Sequence, residues 1–315
     1  MKALVTGGAG FIGSHLAEAL WKKGYRVVVL DNLSTGKPSN LDWSVGKIEF
    51  VRGDVRDLGL VARLVEGCDV VFHEAAVASV PRSVDDPLNT NDHNLNGTLT
   101  ILEAARSARV RRVVFASSSA VYGHGIPPSQ REEHPLDPLS PYALQKATGE
   151  QYCRMFWRLY GLETVALRYF NIFGPRQSFD SPYAGVIAKF CVAFLEGKQP
   201  TIFGDGHQTR DFTYVSNAVH ANLLAAEAPA ERVAGRVFNI GSARATSILD
   251  LWQALSELTG FHPEPKFGPE RQGEVRNSVA NLETAECLLG YKVQVGLEEG
   301  LRRTLEFYKT AAVKG

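Results

Sequence analysis

The stretch Thr6-Gly7-Gly8-Ala9-Gly10-Phe11-Ile12-Gly13 lies between a short apolar run, 3–5, and a segment with apolar residues at helical spacing, 14–20. This order predicts a buried strand, a glycine-rich turn and a helix. In such a turn the first glycine permits the bend, the second lets the backbone approach a pyrophosphate, and the third allows close helix–sheet packing. The helix N-terminus also favours a bound anion. The predicted dinucleotide contacts here are Gly7, Gly10, Phe11, Ile12 and Gly13.

An acidic residue follows the second strand. The apolar run 25–30 ends in Asp31, with Asn32 next to it. A carboxylate at this position can accept both hydroxyls of an adenosine ribose and repels a 2′-phosphate, which favours NAD over NADP. A strand, a glycine turn, a helix and this acid in register make a specific signal. The alternatives are a flavin site or a βαβ unit that binds nothing.

Composition narrows the class of protein. The chain has 315 residues, 34 basic and 34 acidic, so no nucleic-acid partner is expected. No apolar run approaches membrane-spanning length, and the first strand leaves no room for a signal peptide. Four cysteines are scattered without paired spacing, which is typical of reduced thiols in a cytoplasmic protein and predicts no metal site.

Strands and helices alternate through the first half of the chain. Further strands are predicted at 48–54, 70–73, 111–116 and 163–168, and helices at 57–66, 88–108 and 142–160. This alternation predicts an α/β fold, a Rossmann-like doubly wound parallel sheet with helices on both faces. Beyond residue 175 the rhythm becomes mixed, which predicts a smaller C-terminal α/β substrate lobe. We expect 1–174 and 213–240 to bind NAD, and 175–212 and 241–315 to form the lobe.

Several strand ends carry residues suited to a cofactor, because ligands of such sheets lie outside the carboxyl ends of the strands. Asp54 and Val55 are predicted to reach the adenine, and the small residues Ala75 and Ala76 let the chain pass close to the cofactor. Asn94 lies inside the helix 88–108. We expect it to hold a backbone carbonyl or a water near the cofactor.

A tyrosine and a lysine are spaced for chemistry on an alcohol. Tyr142 and Lys146 are four residues apart and share one face of a helix. Tyrosine has a pKa near 10, so it needs a nearby positive charge to become a base at neutral pH. Lys146 and a nicotinamide ring would supply that charge. Ser118, at the end of the fifth strand, is predicted to hydrogen-bond the reacting oxygen. Alone, the pair would more often be an exposed helix face.

These motifs together resemble the extended short-chain dehydrogenase/reductases, in the nucleotide-sugar epimerase/dehydratase branch, over nearly the whole chain. The resemblance rests on the glycine stretch 7–13, 31–32, Asp54, 73–76, Ser118, the pair Tyr142 and Lys146, and Asn171. It implies NAD as the cofactor. It also implies that Ser118, Tyr142 and Lys146 are catalytic, with Tyr142 and Lys146 contacting the cofactor as well. Among the neighbouring serines, the position relative to 121–123 favours Ser118.

The resemblance also indicates the reaction. Dehydratases of this branch have an Asp-Glu pair directly after the catalytic serine or threonine, whereas this chain has Ser119 and Ala120. Neither can donate or take a proton at neutral pH. The resemblance therefore implies 4-epimerisation of a UDP-hexose: Tyr142 takes the 4-hydroxyl proton, hydride passes to NAD, the 4-keto sugar turns over, and hydride returns to its other face.

Substrate contacts follow from the same resemblance. Arg210 and Arg271 resemble the arginines that contact the diphosphate, Asn171 resembles an asparagine that hydrogen-bonds the sugar nucleotide, and Phe203 is expected to flank the uracil. A tyrosine that closes the sugar pocket in other 4-epimerases is replaced by Ser278. The small side chain predicts that UDP-GlcNAc and UDP-GalNAc are accepted, alongside UDP-Glc and UDP-Gal. The stretch 79–83 also resembles epimerases of N-acetylated sugars.

Other functions remain open at this point. A UDP-glucuronate 4-epimerase, or another nucleotide-sugar oxidoreductase that releases its product, would share most of these motifs. An NAD-binding sensor without catalytic activity would keep the glycine turn, but such proteins often lose the tyrosine or the lysine. The predicted helices 88–108 and 142–160 are long enough to pair across a two-fold axis, and the family often forms such dimers. We therefore expect a homodimer.

Overall fold

A computed structural model describes residues 1–124, 129–179, 185–270 and 275–312. The strands are β1 Lys2–Thr6, β2 Arg26–Asp31, β3 Glu49–Arg52, β4 Val70–His73, β5 Arg112–Ser118, β6 Glu163–Tyr169, β7 Ile172–Phe173, β8 Thr201–Phe203, β9 Thr209–Arg210, β10 Thr213–Tyr214, β11 Arg236–Ile240, β12 Thr246–Ser247, β13 Lys266–Gly268 and β14 Asn277–Ser278. The helices are α1 Phe11–Lys22, α2 Leu58–Val65, α3 Val80–Asp85, α4 Pro87–Asn91, α5 Gly97–Ser107, α6 Pro141–Tyr160, α7 Val186–Leu195, α8 Val215–Glu227, α9 Ala230–Val233, α10 Ile248–Thr259 and α11 Leu297–Ala312.

Seven strands form one parallel sheet in the order β11-β6-β5-β4-β1-β2-β3. The strand order reverses between β1 and β4, and parallel sheets of this kind bind ligands at that reversal, outside the carboxyl ends of the strands. The predicted α/β, Rossmann-like fold is confirmed. The first six strands follow the predicted apolar runs within a few residues, and β11 returns from the later part of the chain to the edge of the sheet.

The sheet separates two apolar cores, because successive side chains of a strand point to opposite faces. Ala3 and Val5 of β1 pack into one core with α1 and α8. Leu4 of the same strand packs into the other core with α2, α5 and α6. Helices on both faces bury both sides of every central strand, which explains why the strands are continuous apolar runs.

The predicted helix 88–108 has an irregularity that the local pattern did not indicate. α4 and α5 are joined by a π-helical turn at Asp92–Asn96, so helical structure extends from Pro87 to Ser107 with one widened turn. Such turns concentrate at functional sites. Here the widened turn contains Asn94, whose side chain is turned toward the end of β4 and hydrogen-bonds Val77.

Beyond β6 the chain builds small sheets over a third apolar core, to which α7, α10 and α11 contribute. β7 pairs with β10, and β8 pairs with β13. β9 lies between β12, which is antiparallel to it, and β14, which is parallel. The helices in the described ranges are all too short or too polar to cross a membrane.

Candidate functional site

The glycine turn after β1 fits closely against the end of β4. Gly7 has φ +68°, in the left-handed region that glycine adopts without strain. A Cβ atom on Gly7 would lie 2.8 Å from the backbone of Ala75, and one on Gly13 would lie 2.3 Å from the Gly7 carbonyl oxygen. The third glycine therefore allows α1 to pack on the turn itself, rather than only on the sheet as expected.

The N-terminus of α1 faces this turn. Gly10 is its N-cap and has no side chain, and Phe11 and Ile12 are the first helical residues. Helical carbonyls cannot reach the first N–H groups of a helix, so these groups are available to an anion. The glycine turn and the uncapped N-terminus of α1 together form a cradle, and a pyrophosphate group fits into it.

Asp31 ends β2 beside the turn and is 8% exposed. Its carboxylate oxygens accept hydrogen bonds from the N–H groups of Ala9, at 2.9 Å, and Leu33, at 2.8 Å. Burial raises the pKa of Asp31, and these hydrogen bonds work against that rise. Asp31 therefore also braces the glycine turn. The Gly10 N–H also favours the ionised carboxylate.

The predicted adenine end is built around Asp54. Asn32 Nδ2 donates to Asp54 Oδ2 at 3.1 Å, and the Arg56 guanidinium binds the same carboxylate at 2.8 Å. The hydrogen bond from Arg56 is the main reason that the pKa of Asp54 lies well below its usual range. Val55, the next residue, is buried in the apolar core that α2 and α5 share. The structure therefore brings Asn32, Asp54 and Val55 together beside β2 and β3.

Asn94 acts on the loop that follows β4. Its Oδ1 accepts from the Val77 N–H at 2.7 Å, and its Nδ2 donates to the Val77 carbonyl and to Gln145 Oε1. The expected backbone contact is present. The amide binds protein groups on both sides and positions the loop that follows Ala75 and Ala76, and its contact with the cofactor stays a prediction.

The residues predicted to be catalytic meet at the carboxyl end of β5. Ser118 is the last residue of β5, and Tyr142 and Lys146 lie one turn apart on α6. The hydroxyls of Tyr142 and Ser118 are hydrogen-bonded. The Lys146 ammonium donates to the Ala116 carbonyl at 2.6 Å and lies 5.9 Å from the centre of the Tyr142 ring.

The electrostatics of this group differ from the sequence expectation in one respect. Burial raises the pKa of Tyr142, the hydrogen bond with Ser118 works against that rise, and the Glu74 carboxylate adds to it. Lys146, which was expected to lower this pKa, is not among the groups that shift it. Burial lowers the pKa of Lys146 to about 8, although Glu74 opposes the change. Desolvation outweighs the attraction between the Lys146 ammonium and the Glu74 carboxylate, because both groups are deeply enclosed.

Sequence reasoning missed the role of Glu74. The Tyr169 hydroxyl donates to Glu74 Oε1 at 2.8 Å, and Asn222 Nδ2 donates to that hydroxyl at 2.6 Å. Burial raises the pKa of Glu74 to about 7, and the hydrogen bond from Tyr169 and the charge of Lys146 hold it from rising further. An acid directly after β4 was visible in the sequence, but its neighbours come from β6 and α8.

The predicted substrate residues converge at the small sheets. Arg210 of β9 and Ser278 of β14 are register partners in a parallel pair. Asn171 follows β6 with φ +35°, and its Nδ2 donates to the Asp211 carbonyl at 3.3 Å, next to Arg210. Phe203 ends β8 and is 36% exposed. Arg271 lies outside the described residues.

Asp211 is a second residue that sequence reasoning missed. It is fully buried, and its carboxylate accepts from the N–H groups of Ser242, Ala243 and Ala280. These residues belong to segments far apart in the chain, so one carboxylate joins β9 to the residues flanking β12 and β14. The position of Asp211 directly after Arg210 was visible in the sequence, but its hydrogen-bond partners could not be inferred from it. Among the described residues, no cluster of three or more His, Cys, Asp or Glu could hold a metal ion.

The comparison with known families decides the assignment. Residues 3–241 match the family described as "NAD dependent epimerase/dehydratase family". The chain belongs to the NAD-dependent epimerase/dehydratase family. Its cofactor is NAD, and the glycine cradle, the bare α1 N-terminus and Asp31 fit that dinucleotide.

Members of this family are similar to the chain over their whole length. A UDP-glucose 4-epimerase of Mycolicibacterium smegmatis is 42% identical over 315 residues, covering 98% of this chain and 99% of that protein. The crystal structure of a UDP-glucose 4-epimerase with UDP-glucose from Thermotoga maritima aligns with TM-score 0.94 at 40% identity, covering 99% and 100%. A UDP-N-acetylglucosamine 4-epimerase from Methanobrevibacter ruminantium, in complex with UDP-N-acetylmuramic acid, aligns with TM-score 0.94 at 39% identity, covering 98% of each.

Proposed function

We propose that the protein interconverts 4-epimers of a UDP-hexose with NAD as a bound cofactor. The observation that carries this proposal is the grouping of Ser118, Tyr142 and Lys146 at the carboxyl end of β5, with only β4 between that strand and β1, which the glycine turn follows. A UDP-glucose 4-epimerase and a UDP-N-acetylglucosamine 4-epimerase of nearly the same fold support it.

Each of the three residues has a distinct role in this reaction. Tyr142 removes the proton of the 4-hydroxyl as general base and later returns it. Ser118, hydrogen-bonded to Tyr142, orients the same oxygen. Lys146 stabilises the ionised phenol, because its ammonium lies 5.9 Å from the centre of the Tyr142 ring. NAD, when bound, supplies the acceptor for the hydride of C4 and the source of its return.

Two regions of the chain divide the binding task in this proposal. Residues 1–174 and 213–240 bind NAD, and 175–212 and 241–315 bind the nucleotide sugar. Arg210 and Arg271 pair with the diphosphate, for which the planar guanidinium is well suited. Asn171 hydrogen-bonds the sugar nucleotide, and Phe203 flanks the uracil. The pairing of β9 with β14 supports a shared pocket for Arg210 and Ser278.

The sugar specificity depends on Ser278. A small side chain beside Arg210 leaves space at C2 for an N-acetyl group, so UDP-GlcNAc and UDP-GalNAc are substrates together with UDP-Glc and UDP-Gal. Elimination of water is not expected, because Ser119 and Ala120 follow Ser118 where an acid would be needed. Both residues lie in the turn Ser119–Tyr122, and neither has a side chain that ionises near neutral pH.

Proton NMR of UDP-GlcNAc, and separately of UDP-Glc, incubated with purified protein and no added NAD, tests the function. Appearance of UDP-GalNAc supports both the mechanism and the open pocket. Appearance of UDP-Gal alone keeps the mechanism and contradicts the Ser278 argument. No change with either sugar, even after NAD is added, rejects the UDP-hexose assignment and makes UDP-glucuronate the next substrate.

Replacing Tyr142 by phenylalanine distinguishes an enzyme from an NAD-binding sensor. Tyr142→Phe keeps the ring but removes the base, so kcat is expected to fall by about 10²–10⁴-fold. Cofactor content after purification serves as the control, because the ring and Lys146 remain. Unchanged turnover in a variant that retains NAD would mean that Tyr142 is not the base.

A further inference from the structure

The start of α6, which carries Tyr142 and Lys146, is held by a residue from another part of the chain. The first N–H groups of a helix have no intrahelical acceptor. Pro141 has no N–H, and the Ala143 N–H donates to the N-cap residue Ser140 at 3.2 Å. The Tyr142 N–H instead donates to Oγ of Ser83, 59 residues earlier, at 3.0 Å.

Ser83 is oriented for this task. It is fully buried in α3, and its hydroxyl donates to the Val80 carbonyl at 2.7 Å. A serine hydroxyl has one proton, so Oγ can act toward Tyr142 only as an acceptor. The rotamer of Ser83 and the backbone of Tyr142 are therefore fixed together.

The segment that carries Ser83 follows the loop at the end of β4. That loop passes 2.8 Å from where a Cβ of Gly7 would lie, and Asn94 clamps it at Val77. Asn94 also binds Gln145, the residue before Lys146, because its Nδ2 donates to Gln145 Oε1 at 2.8 Å. The first turns of α6 are thus hydrogen-bonded to two residues that lie beside this loop. Ser83 binds the Tyr142 N–H, and Asn94 binds the Gln145 side chain.

We propose that Ser83 is a positioning residue for the epimerase reaction, whose hydroxyl sets the position of Tyr142 relative to the cofactor loop. This inference rests on the proposed function. It assigns Ser83 no contact with the sugar, because its hydroxyl is buried and its proton is used within α3. Removing the hydroxyl leaves the partly buried Tyr142 N–H without its acceptor, so we expect the first turn of α6 to shift or fray.

The experiment compares Ser83→Ala with Ser83→Thr, which keeps a hydroxyl, and with Ser256→Ala. Ser256 is a matched control, because it is also buried in a helix, α10, and its hydroxyl donates to the Trp252 carbonyl at 3.0 Å. Holoenzymes are measured for kcat, KM, retained NAD and thermal midpoint. The ionisation of Tyr142 is measured without substrate, as the tyrosinate ultraviolet absorbance that Tyr142→Phe lacks.

For Ser83→Ala we expect kcat to fall by about tenfold or more, with KM changed less than about twofold, because misplacement affects the chemical step more than binding. Tyr142 should also ionise at higher pH, since it moves away from the Ser118 hydroxyl that favours its ionised form. Ser83→Thr should restore most of both properties. Ser256→Ala should lower only the thermal midpoint.

Unchanged kcat and unchanged Tyr142 ionisation in folded Ser83→Ala would overturn the proposal. Equal losses in Ser83→Ala and Ser256→Ala, or a loss confined to KM, would also overturn it. If Ser83→Ala does not retain NAD, Ser83→Cys, with its weaker acceptor, is judged by the same criteria. Wild-type turnover tests the proposed function separately, and the substrate-free titration tests Ser83 even where turnover is absent.

Discussion

Two residues in the site, Lys146 and Glu74, can carry opposite charges, and the pKa of each is shifted toward neutral pH. Burial lowers the pKa of Lys146 to about 8 and raises the pKa of Glu74 to about 7. Each charge favours the ionised form of the other, but desolvation dominates both. Near neutral pH, the charge next to Tyr142 therefore depends on Glu74, which the Tyr169 hydroxyl binds at 2.8 Å.

Glu74 should make the protein less stable as the pH rises. An unfolded glutamate has its pKa near 4.5, and the folded value is about 7. The folded state holds the proton more tightly, so this contribution to the free energy of unfolding is full below about pH 4.5 and lost by about pH 7. The loss is at most about 3 kcal/mol. We expect Glu74→Gln to remove it, as measured by urea unfolding between about pH 5 and 8.

The exposed residue Glu231 provides the control for this prediction. Glu231→Gln replaces the same group on the surface and should leave the pH dependence of the wild type in place. A Glu74→Gln variant whose unfolding free energy falls with pH as steeply as that of the wild type would show that Glu74 does not ionise in this range.

At the scale of elements, short strands rather than long ones assemble the proposed sugar pocket. β9, β12 and β14 have two residues each, too few to be stable alone. The buried carboxylate of Asp211 joins them through backbone N–H groups of Ser242, Ala243 and Ala280. This arrangement fixes the register that places Ser278 beside Arg210.

The register leads to a prediction for Ser278→Tyr. The tyrosine ring should fill the space next to C2, so activity on UDP-GlcNAc and UDP-GalNAc should fall by about tenfold or more while activity on UDP-Glc and UDP-Gal is retained. Progress curves followed by NMR measure both pairs. Asn277→Tyr is a matched control, because neighbouring side chains of a strand point to opposite faces. Equal effects of Ser278→Tyr on both pairs would contradict the prediction.

Local sequence patterns predicted those elements whose formation depends on neighbouring residues. Apolar runs located the first six strands, and Ser140 and Pro141 mark the start of α6 as the sequence indicated. The π-helical turn at 92–96 was missed, because its side-chain ties to Val77 and Gln145 are contacts distant in the chain. The same reason applies to the partners of Asp211, which only the folded chain brings together.

Within the molecule as a whole, α6 presents an apolar stripe at the surface. Leu144 is 55% exposed, Met155 39% and Leu159 64%, and Leu88 of α4 is 84% exposed. Large apolar side chains grouped on neighbouring helices are typical of a protein–protein interface. A homodimer formed through these helices would cover them, and we propose that this is the solution state.

Charges on the stripe should prevent this association. The double variant Leu144→Glu/Leu159→Glu places two buried carboxylates in each half of the interface, and sedimentation velocity should then report a monomer. Leu58→Glu is the control, because Leu58 of α2 is 51% exposed but lies on a different helix. A wild type that sediments as a monomer at assay concentrations, or a double variant that remains dimeric, would contradict the prediction.

The late return of the chain to the large sheet has a consequence for biosynthesis. β11 pairs with β6, and more than sixty residues of chain separate the end of β6 from the start of β11. While the ribosome is making that stretch, β6 is the unpaired edge of a nascent six-stranded sheet. Its residues 164–169 are all buried in the finished protein. An unpaired strand edge invites pairing between nascent chains, so we expect β6 to be open to such pairing until β11 has emerged from the ribosome.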